Sequence, residues 1–436
     1  AAVQHLRAGR GASVDLKVSG GTAGASGEYD LSTLVIDGRD VVSPYTRNAM
    51  ATLEDGVNLT ASELAVTAGW LYVNGITHVN ATTLLNVSSD GSIIGSSRSH
   101  TTDNQGPDSA RFTASTSYYS RTCCYTNYYY YDYAAGSHGG VAIKHAQQTG
   151  SEVEGTPYGS TFEPVTVGAG SYQRKGGAAL RVTADTLVLS GSIEVDGEGG
   201  ATYGGGAGGS VWIVTRLLQG ASGGRISAQG GDASTQYRPG GGGGRVALYC
   251  STTTHAETWS GFSGLPTISV NGGDIHTSTA TGRRGGSGTA YVDCGAATRT
   301  LVLHNEASGN AAKMTPLVDE GMTTYSFDHV RLYNGAGVAF VPSNVPTSTP
   351  IDVSVGVLNG SAQSHLIIDD IVTLALGVTP HPTQIDNTAV TSTRTASDRR
   401  VVLSAARYAV SSAVVTGAHI CNRGILELPS HTYICG

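Results

Sequence analysis

The sequence predicts an all-β protein, a right-handed parallel β-helix-like solenoid carrying one long Tyr- and Cys-rich insert. Three observations predict it. Glycine supplies 61 of 436 residues, roughly twice the usual ~7%. Short runs alternate apolar and polar residues, the period of an extended segment with one face against a core. These runs recur through the middle of the chain at a spacing too short for each to bury its own apolar face, so copies must stack.

Taken in order, residues 1–98 read as N-terminal coils of the solenoid. Their strands are "DLSTLVIDG" from Asp30, "NLTASELAVTAG" from Asn58, "WLYVNG" from Trp70 and "ATTLLNVSSDGSII" from Ala81. Residues 99–175 break the pattern and read as a long loop insert. It holds "RTCCYTNYYYYDY" from Arg121, "HGG" from His138 and "EGTPYGSTFEPVTVGAGS" from Glu154.

Residues 176–297 carry the Gly-rich repeats. "GAALRV", "GGSVWI", "GGRVAL" and "GTAYV" align the apolar pairs Leu180/Val182, Val211/Ile213, Val246/Leu248 and Ala290/Val292. A second short strand follows each of the first three copies, with Ile193/Val195, Ile226/Ala228 and Ile268/Val270 facing inward. A glycine turn is expected to close each strand, since glycine tolerates positive φ and lets coils approach closely. A sandwich or barrel would instead place Asn-Gly or Asp-Gly between equal strands. Residues 298–436 return to short apolar strands, such as "TRTLVLHN" and "IDVSVGVLNG", and read as C-terminal coils.

The repeat register yields a disulfide. Cys250 follows "RVALY" and Cys294 follows "TAYVD", so they fall at equivalent positions of successive copies. Stacked strands lie about 4.8 Å apart, within the ~4.4–6.8 Å that a bridge spans. Cys421 and Cys435 can pair in the last coils. Cys123 and Cys124 can pair with each other, tie the insert to the solenoid, or cross-link to a neighbouring chain.

Six cysteines, an even number, suit an oxidising compartment. Four Asn-x-Ser/Thr sequons, at Asn58, Asn80, Asn86 and Asn359, suit N-linked glycans. The first residues, "AAVQHL", lack Met, which a removed signal peptide would explain, as would a start within a longer chain. Together these features lead to a secreted or extracellular protein, at a cell or flagellar surface. The net charge is −7 with no basic stripe, so nucleic acid is not an expected partner. No apolar run approaches the ~20 residues of a membrane span, so no membrane insertion is expected.

The order "HGG", "YGS", "GAGS", "GGAALRV", "GGSVWI", "GRISAQGG" and "GGGGGRVALY" resembles the Gly-rich parallel β-helix region of large secreted or surface proteins of algae and protists. The later "FDHVRLYNGAGVAFV" resembles the strand that follows that region. The resemblance spans roughly residues 136–345. It implies a fold more than a chemistry, and mastigoneme-type filament glycoproteins of flagellar hairs are one setting it suggests.

No catalytic constellation is legible, and no enzyme activity is expected. Asp369-Asp370 is the adjacent acidic pair in a strand, but neighbouring strand residues face opposite sides. His138 has no carboxylate or second histidine nearby in sequence and reads as a loop residue. Asp196, Glu198, Asp232 and Asp274 recur at strand ends. Calcium would need 6–8 oxygens at ~2.3–2.6 Å, and the spacing lacks the regularity of calcium-binding repeats, so neither a metal nor another cofactor is expected. Trp212 lies between Val211 and Ile213 and must point outward, as a glycan platform or as a covered ring.

Six tyrosines of the insert, Tyr125, Tyr128, Tyr129, Tyr130, Tyr131 and Tyr133, combine large apolar rings with a polar tip. That chemistry suits a contact surface, so the segment is expected to be buried against the solenoid or an adjacent subunit. The expected function is a structural subunit of an extracellular filament or coat, assembling as a homo-oligomer or with other extracellular glycoproteins. A glycan-binding adhesin and a polysaccharide-degrading β-helix enzyme are the alternatives.

Overall fold

The computed structural model describes residues 5–8, 13–16, 27–40, 47–99, 114–115, 130–146, 152–171, 174–200, 204–233, 238–256, 258–259, 262–275, 284–305, 314–340, 349–368, 372–376, 383–392, 400–403, 408–410 and 415–416. Among them there is no helix. The strands form one 24-stranded, mostly parallel sheet, a four-stranded antiparallel sheet and a two-stranded one.

The first ladder runs through Gly27–Asp37, Val57–Val73, Ile76–Ile94, Ala179–Leu189, Ser210–Gln219, Arg245–Thr253 and Thr289–Cys294, each parallel to the next. Parallel pairing stacks like positions on like where the register is unbroken; the shifts, at Ile36/Asp37, Ala61/Glu63, Val66/Ala68 and Ala184/Thr186, fall elsewhere. Leu59, Val79, Val182, Ile213, Leu248 and Val292 therefore form one aliphatic column, fully buried. The predicted apolar pairs meet in register, Leu180 beside Val211, Val211 beside Val246, and Val246 beside Ala290. Full burial of each such side chain is worth about 1.5–3 kcal/mol.

A second ladder forms a neighbouring wall. In it Leu71, Ile93, Ile193, Ile226 and Ile268 stack in register. A short hairpin, Thr258–Trp259 with Phe262–Ser263, lies between the Arg245–Thr253 and Thr267–Ser269 strands. Its Trp259 donates its indole N–H to the carbonyl of Ile268 at 3.2 Å, and Trp259, Phe262 and Leu265 join the core.

The glycine runs are not turns. They are extended segments that bond to one another in several lateral directions. Within the run 240–244, the N–H of Gly241 donates to Gly231 O (3.0 Å) and its carbonyl accepts from Gly273 N (2.7 Å). In the same run Gly242 O accepts from Gly208 N, and Gly243 N donates to Gly286 O, both at 2.9 Å. A sheet strand has neighbours in one plane, whereas this run has them on several sides. Glycine is required by that crowding. A Cβ on Gly241 would fall 2.0 Å from Gly206 O, and one on Gly285 would fall 1.9 Å from Gly241 O. Positive φ occurs at other glycines, such as Gly223 and Gly321, outside this run.

Two pieces of the predicted insert are woven into the glycine wall. Gly136 N donates to Gly205 O (3.0 Å), Gly140 N to Gly243 O (2.8 Å), and Ala207 N to Ala169 O (2.9 Å). Another part builds the four-stranded antiparallel sheet from Ala114–Ser115, Tyr130–Ala134, Ile143–Ala146 and Glu152–Glu154.

The chain reverses direction after Cys294. Gly295 takes φ 58°, and Ala297–His304 pairs antiparallel with Thr289–Cys294. Later strands are again parallel to their neighbours: Ala297–His304 to Thr324–Tyr333, then Ile351–Ile368, then Thr383–Ser392. Residues opposite one another in an antiparallel pair share a face. Ala290 with Val302 faces the first core, and Tyr291 with Leu301 faces a second core that includes Phe327, Leu332 and Phe340. One sheet thus carries a core on each side.

Candidate functional site

A buried polar cluster sits under the segment 155–171, which crosses from the glycine wall to the second core. Arg245 opens its strand where neighbouring strands carry Ser210 and Thr289. It is fully buried. Its Nε donates to Tyr158 O at 2.9 Å, and Nη1 donates to Thr161 Oγ1 and Thr289 Oγ1 at 3.2 and 3.0 Å. Asp319, from the second block, accepts at Oδ1 from Ser160 Oγ (2.8 Å) and Thr161 N (2.6 Å). Ser210 Oγ donates to Thr166 O at 2.5 Å. The crossing segment is therefore bonded to both blocks.

His138 is also fully buried. Its Nδ1–H donates to Gly208 O at 2.7 Å, and its Nε2 accepts from the Thr166 hydroxyl at 2.8 Å. Burial, reinforced by the Arg245 charge, lowers its pKa to about 3. His138 is neutral at neutral pH, and both ring nitrogens are occupied by structural bonds. Burial likewise lowers the Arg245 pKa, against the favourable field of Asp319.

Phe162 projects from the same segment into an aromatic cluster. Its ring lies 4.7 Å from Tyr291, edge-on, and 6.0 Å from Phe327, stacked. Tyr249 donates its hydroxyl to Phe162 O at 2.9 Å. Burial pushes the Tyr291 phenol up to about 12 and raises Tyr249 further. No sequence pattern announced this cluster. The only local signal was one arginine opening an apolar strand after five glycines.

Cys250 and Cys294 are joined by a disulfide, as the repeat register predicted. The sequons lie on strands, and Asn58, Asn80 and Asn86 each sit between two buried residues. Asn58 is partly exposed and donates from Nδ2 to Glu28 Oε1 at 2.7 Å. Asn80 and Asn86 share Ile76–Ile94, paired beside Thr60 and Ala65 respectively. Asn359 lies in Ile351–Ile368 beside Arg331, so it does not share a block with the other three.

Trp212 points outward, and its ring is covered by the Arg181 guanidinium at 4.2 Å. The acids at strand ends are engaged by protein groups. Asp196 accepts from Ser227 Oγ and Gln229 N, both at 2.6 Å. Glu198 pairs with Arg174 (2.9 Å), and Asp274 pairs with Arg284. Among the described residues no three His, Cys, Asp or Glu side chains converge as a metal-ligating group.

Tyr130, Tyr131 and Tyr133 lie in the strand Tyr130–Ala134. Tyr125, Tyr128, Tyr129, Cys123, Cys124, Asp369, Asp370, Cys421 and Cys435 lie outside the described residues.

Fold and site together define an all-β protein with a large, mostly parallel sheet and a buried, hydrogen-bonded polar cluster at the join of two cores. Family models, curated proteins and solved structures contain no match to this chain.

Proposed function

We propose that the chain is a right-handed β-helix-like solenoid serving as a structural subunit of an extracellular glycoprotein filament or surface coat, of the mastigoneme type that its Gly-rich segments resemble. The observation that carries this reading is the in-register aliphatic column from Leu59 to Val292. A stack in which each strand meets only its neighbours is quasi-one-dimensional. Its end strands hold unpaired backbone groups that take a further strand, and a repeated contact that does not close makes a filament. The disulfide suits an oxidising compartment. Glycans on Asn58, Asn80, Asn86 and Asn359 would solvate the outer faces. The Tyr-rich strand would serve contacts with identical chains or other extracellular glycoproteins. This reading assigns no catalytic role.

Electron microscopy of the native material tests it. Filaments or a regular coat containing this chain are the expected result, and dispersed monomers under native conditions would overturn it. The adhesin alternative draws on the outward row Glu28, Asn58, His78, Arg181 and Trp212. The Arg181 guanidinium already occupies the Trp212 face, which favours the structural reading.

A further inference from the structure

Arg245 and Asp319 each leave one polar atom without a hydrogen-bond partner: Nη2 of the guanidinium and Oδ2 of the carboxylate. Both side chains are sequestered, at 0% and 4% exposure. Such groups are among the costliest to leave unsatisfied, because they are charged and cut off from bulk water. They also converge. Both bond the same residue, Thr161, Arg245 through the Thr161 hydroxyl and Asp319 through its N–H. The field of Asp319 acts favourably on the Arg245 charge.

We propose that one bound water molecule bridges the two, accepting a hydrogen bond from Arg245 Nη2 and donating one to Asp319 Oδ2. The chemistry of the two atoms selects the ligand class. It must accept at one end and donate at the other, which excludes simple ions. It must also be neutral, because one guanidinium and one carboxylate already sum to zero. An anion beside Nη2 would be repelled by Asp319, and a cation beside Oδ2 by Arg245. Buried waters take such positions, making about three bonds each to otherwise unpaired polar groups. The hydroxyls of Thr161 and Thr289 already hold the same guanidinium through Nη1, which leaves Nη2 for the water. The water would complete the lock that holds the segment 155–171 across the two blocks.

A crystal structure of the unaltered chain at about 1.5 Å, grown in bromide, tests this. The expected result is a single solvent peak within ~3.2 Å of both atoms, with no anomalous signal. A bromide peak beside Arg245, a direct contact between the two side chains, or a dry gap would each overturn it.

Discussion

Cys250 and Cys294 stand directly opposite in the last parallel pairing before the chain turns back, with their Cα atoms 4.4 Å apart. The bridge therefore clamps the strand at which one core ends and the other begins. Cys294 also sits beside Ala297 across the reversal. A clamp at this point restrains both the parallel ladder and the hairpin that leaves it.

Replacing both cysteines with serine is expected to cost about 4 kcal/mol in the chain-entropy account for a 44-residue separation. Denaturant unfolding of the double variant against the parent checks it. An unchanged midpoint would mean that the ladder alone fixes the join.

Two glycine substitutions separate crowding from backbone conformation. Gly241→Ala places a methyl 2.0 Å from Gly206 O, where neither backbone can yield without breaking the wall. Its cost should reach or exceed the upper end of the ~1–3 kcal/mol of ordinary overpacking. Gly321→Ala meets no atom within 4 Å but must hold φ 72°, costing about 1–2 kcal/mol. Comparable losses at the two sites, measured by thermal unfolding, would contradict the packed wall.

His138 should make stability fall with acid. Its folded pKa, about 3, lies below its ordinary value of 6.5, so the unfolded chain binds the proton first. The contribution is fully present above about pH 6.5 and is lost as pH falls toward 3, by up to about 1.4 kcal/mol per pH unit. His304, also lowered by burial, acts in the same direction. Asp196, raised by burial, acts oppositely, its share falling as pH rises through its folded value. Unfolding midpoints from pH 7 to 4 in the parent and in His138→Gln measure the difference. Parallel curves would exclude His138 as the source.

Phe162→Ala should cost about 1–3 kcal/mol, below the ~3–5 of a fully buried Phe, because its partly buried ring packs against Tyr291 and Phe327. The loss should appear as easier proteolysis within 155–171 as well as lower global stability. Resistance equal to the parent's would show that Arg245 and Asp319 hold the segment without the ring.

Much of the first block was legible in the sequence. The columns through Leu180, Val211, Val246 and Ala290, and through Ile193, Ile226 and Ile268, follow from period-two alternation and a repeated spacing. Both properties are local, so the chain carries them in plain view. The Cys250–Cys294 bridge follows from the same register.

The tertiary structure alone decided the rest. Gly241 is a glycine because of Gly205 and Gly206, and its own carbonyl in turn leaves no room for a Cβ on Gly285; none of these is its neighbour in sequence. Composition shows such a run as turns, since crowding by distant backbones leaves no local mark. The reversal at Gly295 turns the outward Tyr291 into a core residue of the next block. His138 meets Gly208 across 70 residues, and Arg245 meets Tyr158 across 87. A sequence reports which side of a strand is apolar, and only the assembled fold determines what that side, or the opposite one, is packed against.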